Sequence, residues 1–155
     1  MMKRVFYYDS PIGPLGIAEE NGFITRVFFS TDKEMAGFEK AETPLIKKAA
    51  SQLEEYFKAA RKTFDLPLLL HGTDFQRAVW NSLLTIPFGQ TRSYKDIAAQ
   101  IGNPRACRAV GMANNRNPIV IIVPCHRVIG HSGDLTGYGG GLNAKQYLLE
   151  LENVH

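Results

Sequence analysis

The chain has 155 residues, 45% hydrophobic and 21% charged, with a formal net charge of +3, a composition that excludes intrinsic disorder. At this length folding buries roughly 70% of the surface of the unfolded chain, so no staples are needed, and two cysteines, Cys107 and Cys125, exclude a disulfide framework and lean toward a reducing compartment. The longest strongly apolar run, Ile119 to Val123, is far too short for a bilayer, and Met1 to Phe6 has the basic residues of a signal peptide without its apolar stretch, so a soluble, cytoplasmic protein is expected. The first forty residues read as strands. Val5 to Tyr8 is β-prone and runs into the turn-rich Asp9 to Pro14. Leu15 to Ala18 and Ile24 to Phe29 flank Asn21-Gly22, the strongest short hairpin signal. A helix follows, with Thr43 as N-cap and Pro44 at its first position. Its apolar positions are Ile46, Ala49, Leu53 and Tyr56 or Phe57. Residues 62–72, with Pro67 and Gly72, read as a link, which divides the chain into units 1–70 and 71–155.

The second unit reads as mainly helical. Thr73-Asp74 caps a helix carrying Phe75, Val79, Leu83 and Ile86, which Pro87 and Gly89 end. Ser93 with Asp96 three residues on is a capping-box pattern, and Gly102 stops the short helix that it opens. Asn103-Pro104 then caps and starts a helix over 104–115. Two short helices joined by a tight turn form a helix-turn-helix candidate, although most such pairs are plain packing units. Ile119 to Val123, continuous and β-branched, reads as a strand buried on both faces and ending at Pro124. A glycine-rich loop follows, and a last helix carries Leu142, Leu148, Leu149 and Leu151. The expected class is α+β. It combines a small N-terminal antiparallel sheet with one helix and a mainly helical C-terminal domain, with Cys125 at a strand end.

The net charge hides an asymmetry. Residues 1–70 hold ten bases and ten acids, whereas Phe75 to His131 holds seven bases and one acid, Asp96. Six of those seven are arginine, the side chain best suited to phosphate. A nucleic-acid footprint and a solvated basic face both fit this pattern. Chemistry concentrates in Pro124-Cys125-His126-Arg127-Val128. A thiolate is a nucleophile, and a neighbouring histidine or cation raises its population. The competing reading is a buried structural cysteine. Adjacent side chains on an extended segment point apart, so a water between Cys125 and His126 is the easier geometry. No second Cys/His pair stands at metal-ligand spacing, and no metal or cofactor is expected.

These blocks resemble the O6-alkylguanine-DNA alkyltransferases, the methylated-DNA–protein-cysteine methyltransferase family. The resemblance rests on Asn117-Pro118-Ile119 with Pro124 to Val128, on Ile86 to Tyr94, on Gly102 to Gly111, and on Leu135 to Leu142 continuing to Glu152. It is strong over Phe75 to Glu152, while residues 1–70, a supporting domain, match only in layout. It implies DNA repair in which an alkyl group passes irreversibly from guanine O6 to Cys125, each molecule acting once. By similarity His126 takes the thiol proton through a water, Glu152 orients the imidazole, Tyr94 gives a proton or a hydrogen bond to the departing base, and Asn117 holds the turn. The helix over 104–115 would seat in the minor groove, where Ala106, Cys107, Ala109 and Gly111 allow close approach. Arg108 would fill the place of the flipped base, with Arg105 and Ser93 also at the DNA. Tyr138, Gly139, Val128 and Asn114 would form the base pocket. Asn114 stands where some relatives carry Met, and Gly139 where some carry Ser, which puts the acceptance of bulky alkyl groups in doubt. The partner implied is duplex DNA containing O6-alkylguanine, bound by a monomer. Three alternatives stay open: a lesion sensor, which normally lacks the acceptor cysteine, a transcriptional regulator and a Cys-His hydrolase.

Overall fold

The computed structural model describes residues 2–29, 35–130, 138 and 141–153. The chain forms two compact units, Met1–Leu70 and His71–His155. In the first, β1 (Lys3–Tyr8), β2 (Leu15–Glu20) and β3 (Phe23–Phe29) form an antiparallel meander, and the short β4 (Glu39–Lys40) pairs parallel to β1. Asn21 and Gly22 both have positive φ, 51° and 87°, the turn that lets two right-twisted strands pair through two residues. Val5, Leu15, Ile17, Ile24 and Val27 are buried. The helix α1 (Pro44–Phe57) packs on this sheet through Ile46, Ala49, Leu53 and Tyr56. Thr43 Oγ1 accepts from Ile46 N at 3.1 Å and caps it as expected. Tyr56 rather than Phe57 is the buried aromatic ring at the end of this stripe.

The second unit holds α2 (Asp74–Leu83), α3 (Tyr94–Gln100), α4 (Cys107–Asn115) and α5 (Leu142–Leu151), with the two-residue strands β5 (Arg92–Ser93) and β6 (Val128–Ile129). Thr73 with Gln76 and Ser93 with Asp96 form complete capping boxes. The indole of Trp80 donates to Ala113 O at 2.8 Å and ties α2 to α4, and α3 and α4 pack together as a helix-turn-helix. The mixed α+β class is the one expected.

Several elements differ from their sequence reading. Ile86 lies beyond α2, which ends at Leu83, and Leu142 is exposed rather than core. The helix expected over 104–115 begins only at Cys107, because Ala106 N bonds back to Asn103 O in a separate turn. Ala106 is the N-cap and supplies no side-chain bond, so Asn103 does not cap.

The largest correction concerns Ile119 to Val123, which is not a strand. Ile122 N donates to Val120 O and Cys125 N to Val123 O, both at 2.8 Å, so the segment folds into successive three-residue turns. Ile121 sits at φ 72°, the strained form of such a turn, and Pro124 (φ −82°, ψ 65°) centres the relaxed form. All five side chains are nevertheless buried. Continuous apolarity reports burial, not extension, and cannot separate a strand from a packed turn. Cys125 therefore opens a 3₁₀ turn, Cys125–Arg127, instead of ending a strand.

Candidate active site

Asn117, at the end of the helix-turn-helix, organises the folded turn. Its Oδ1 accepts from Ile119 N at 3.0 Å and its Nδ2 donates to Val123 O at 2.7 Å. Both backbone groups are buried, Val123 O also accepting from Cys125 N, and one side chain joins the two in place of a strand neighbour. Pro124 then sets Cys125, 3% exposed, at the head of the 3₁₀ turn. Asn114 Nδ2 donates to Cys125 O at 3.3 Å. Val128 N also donates to that carbonyl, and Val128 leads into β6. Arg92 pairs with Val128 and Ser93 with Ile129. This short parallel ladder ties the cysteine turn to the start of α3, where Tyr94 stands.

His126 and Glu152 are both buried, and His126 Nε2 donates to Glu152 Oε2 at 2.7 Å. The carboxylate only accepts, so the hydrogen sits on Nε2 and proton exchange with the thiol falls to Nδ1. Glu152 is the C-cap residue of α5, and three further donors hold it. Arg127 Nε reaches Oε1 at 2.8 Å, Arg127 Nη2 reaches Oε2 at 3.1 Å, and Gly89 N reaches Oε1 at 3.1 Å. Arg127 Nη1 also donates to Ile86 O at 2.7 Å. The turn after α2, the cysteine turn and the end of α5 thus meet at one carboxylate.

The electrostatics fit a site that rests uncharged at the sulfur. Burial pushes the Cys125 thiol up to about 11, against a hydrogen bond from Asn117, the charge of Lys145 and a hydrogen bond from Tyr138. Burial also holds His126 below its ordinary value, against the hydrogen bond and charge of Glu152. At neutral pH this is a thiol beside a neutral imidazole, which is the protonation state a base needs. Lys145 is fully buried, and its Nζ donates to Val128 O at 2.6 Å. Burial lowers it to about 8, and the cysteine charge opposes that shift.

The structure therefore gathers Cys125, His126, Glu152, Asn117, Asn114 and Val128 into one cluster, with Tyr138 beside the sulfur. Gly139 lies outside the described residues. Tyr94 is half-buried, and a Cβ on Gly111 would stand 3.8 Å from its ring. Gly111 thus faces α3. On α4, Arg108 and Ala109 are exposed, whereas Cys107 and Gly111 are half-buried, so the small residues do not share one outer face. Ahead of that helix, Arg105 is exposed and Ala106 half-buried. The Ser93 hydroxyl accepts from Asp96 N at 3.0 Å and is engaged as a helix cap. Sequence reasoning gave no role to Lys145, and read Arg127 as part of the basic stretch and as a cation beside the thiol rather than as a partner of Glu152. The signal for Lys145 was its position on the stripe Ala144, Leu148 and Leu149, where a lysine interrupts an otherwise apolar face.

Residues 74–154 match the family model described as 6-O-methylguanine DNA methyltransferase, DNA binding domain, and residues 4–70 match the ribonuclease-like domain of the same description. The chain is 50% identical over 153 residues to a methylated-DNA–protein-cysteine methyltransferase of Methanosarcina acetivorans, covering 94% of this chain and 95% of the relative. It is 54% identical over 146 residues to the Mycobacterium tuberculosis protein of that name, covering 93% and 88%. The fold is similar to the crystal structure of Mycobacterium tuberculosis OGT in complex with DNA, with a TM-score of 0.90 and 52% identity over 96% of this chain and 92% of that one.

Proposed function

The chain belongs to the 6-O-methylguanine DNA methyltransferase family, and from that premise we propose how its own residues repair alkylated DNA. The reaction is transfer of the alkyl group from guanine O6 in duplex DNA to Cys125. The observation that carries this reading is the buried Glu152–His126 pair, joined at 2.7 Å, next to a thiol that burial keeps protonated. Such a thiol is inert without a base. His126, fixed by Glu152 with its hydrogen on Nε2, takes the thiol proton at Nδ1 through one water, because adjacent side chains leaving a tight turn diverge. As the S–C bond forms, the C–O6 bond breaks and negative charge develops on the guanine. Tyr94, at the head of α3, returns a proton to the base. Asn117, Lys145 and Tyr138 stabilise the sulfur while it is charged.

The target base must leave the stack to reach a buried sulfur, and Arg108 takes its place in the duplex. Tyr138, Asn114 and Val128 border the base, and Arg105, Ala106, Cys107, Ala109, Gly111 and Ser93 belong to the DNA-binding region. The product is a thioether, which is no leaving group at neutral pH, so each molecule acts once. The protein works as a monomer in the cytoplasm, where a single-use thiol stays reduced. The test is intact mass after mixing with duplex DNA carrying O6-methylguanine. The protein should gain one CH₂, and Cys125→Ser should gain none. Tight lesion binding without a mass gain would replace this reading with that of a lesion sensor, and repeated turnover would contradict single use.

A further inference from the structure

This inference rests on DNA as the partner and concerns the outer face of α4. Arg108, Ala109, Met112, Asn115 and Arg116 are exposed, while Val110, Ala113 and Asn114 are buried. Arg108, Met112 and Arg116 stand four residues apart and form one line along the helix. Met112 is 59% exposed, more than any other large hydrophobic side chain among the described residues. It borders a depression of about 210 Å³ shared with Phe75, at the start of α2, and with Arg116. No acidic residue occurs between Asp96 and Asp134, so nothing on this helix offsets the arginines.

We propose that Met112 is an apolar wedge of the DNA interface, laid into the minor groove between Arg108 and Arg116, and that Arg116 is a separate phosphate contact at the C-terminal end of α4. A minor groove is about 6 Å wide, which a slim, flexible thioether enters without holding the helix away. Its walls are deoxyribose, an apolar surface that a methionine covers without a charge. Apolar residues in this position hold a groove open while neighbouring arginines neutralise phosphates. The two contacts differ in kind, so salt separates them. A phosphate contact releases counterions and adds about 0.9 to the slope of log K against log salt, whereas apolar contact adds nothing.

The test is fluorescence anisotropy of the full chain on an undamaged duplex over a salt series. Arg116→Ala should flatten the slope by about one unit. Met112→Ala should weaken binding about five- to tenfold at every salt concentration with the slope unchanged, and Met112→Leu should restore it. Each variant should still accept a methyl group on Cys125 from free O6-methylguanine base, which has no phosphates and reports an intact site. Full affinity of Met112→Ala, or a loss that varies with salt, overturns the wedge. An unchanged slope in Arg116→Ala overturns the phosphate contact. Failure of the unaltered chain to take a methyl group from DNA instead defeats the functional reading itself.

Discussion

Lys145 lies on the apolar stripe of α5, and burying an ammonium there costs stability unless something nearby uses the charge. Its carbonyl partner, Val128 O, directly follows the turn that Cys125 opens, and the lysine charge is one of the influences lowering the thiol. Lys145→Met keeps the volume and removes the cation. The thiol should then titrate higher than about 11. Its reaction with a small disulfide reagent should slow near neutral pH by about three- to fourfold for each unit of rise in pKa, because the more basic thiolate is rarer but more nucleophilic. The natural lysine itself loses its charge as the pH rises past about 8, so the deficit of the variant should shrink above that point. Rates measured from pH 6.5 to 10 check this, and identical profiles for the two proteins would remove Lys145 from the reaction.

Short elements in this protein are fixed by side chains more than by propensity. The folded turn over 119–125 hangs on Asn117, and α3 starts where Ser93 and Asp96 bond each other's backbone. Ser93 was expected at the DNA, and its structure shows a cap, so the two roles need separating. Ser93→Ala should cost about 1 kcal/mol of stability. Ser93→Asp keeps a good cap and should hold stability near the natural level, while placing a negative charge where a phosphate would approach. Urea unfolding and DNA titration together decide the matter: a stable Ser93→Asp that binds DNA normally would mean that Ser93 does not meet the backbone.

Taken over the whole chain, charge and titration are distributed unevenly. The first unit is balanced, and the excess of bases lies in the second. Not all of that excess is available to a partner: Arg127 is only 6% exposed and is spent on Glu152, and Arg77 pairs with Asp74. The remaining arginines concentrate on and around α4, which narrows the basic footprint that the sequence spreads over fifty residues. Folding stability carries a matching signature. His126 is held below its ordinary 6.5 in the folded state, so the unfolded chain binds more protons below that pH. Stability therefore falls on acidification through 6.5, by up to about 1.4 kcal/mol per pH unit from this group alone. In His126→Gln the loss between pH 7 and 5.5 should be shallower by that amount, as measured by unfolding free energies at each pH. An unchanged slope would mean that the imidazole charges in place.

Much of this was legible in the sequence because it depends on local chemistry. Turn residues, caps and helical periodicity mark the β1–β2–β3 meander, α1, the Ser93–Asp96 capping box and the last helix. The Pro124 to Val128 block, in its surroundings, identifies the nucleophile. Tertiary structure decided what local signals cannot carry. Ile119 to Val123 has the composition of a strand, but Asn117 satisfies its backbone in place of a neighbouring strand, and so it folds into turns. Glu152 lies 26 residues beyond His126, and only packing brings the two to 2.7 Å. Lys145, Arg127 and Met112 carry charge or apolar surface whose meaning depends on which side of a helix or turn is buried. Residue type sets what a group can do, whereas burial and neighbours, which form only on folding, set which proton or partner it holds.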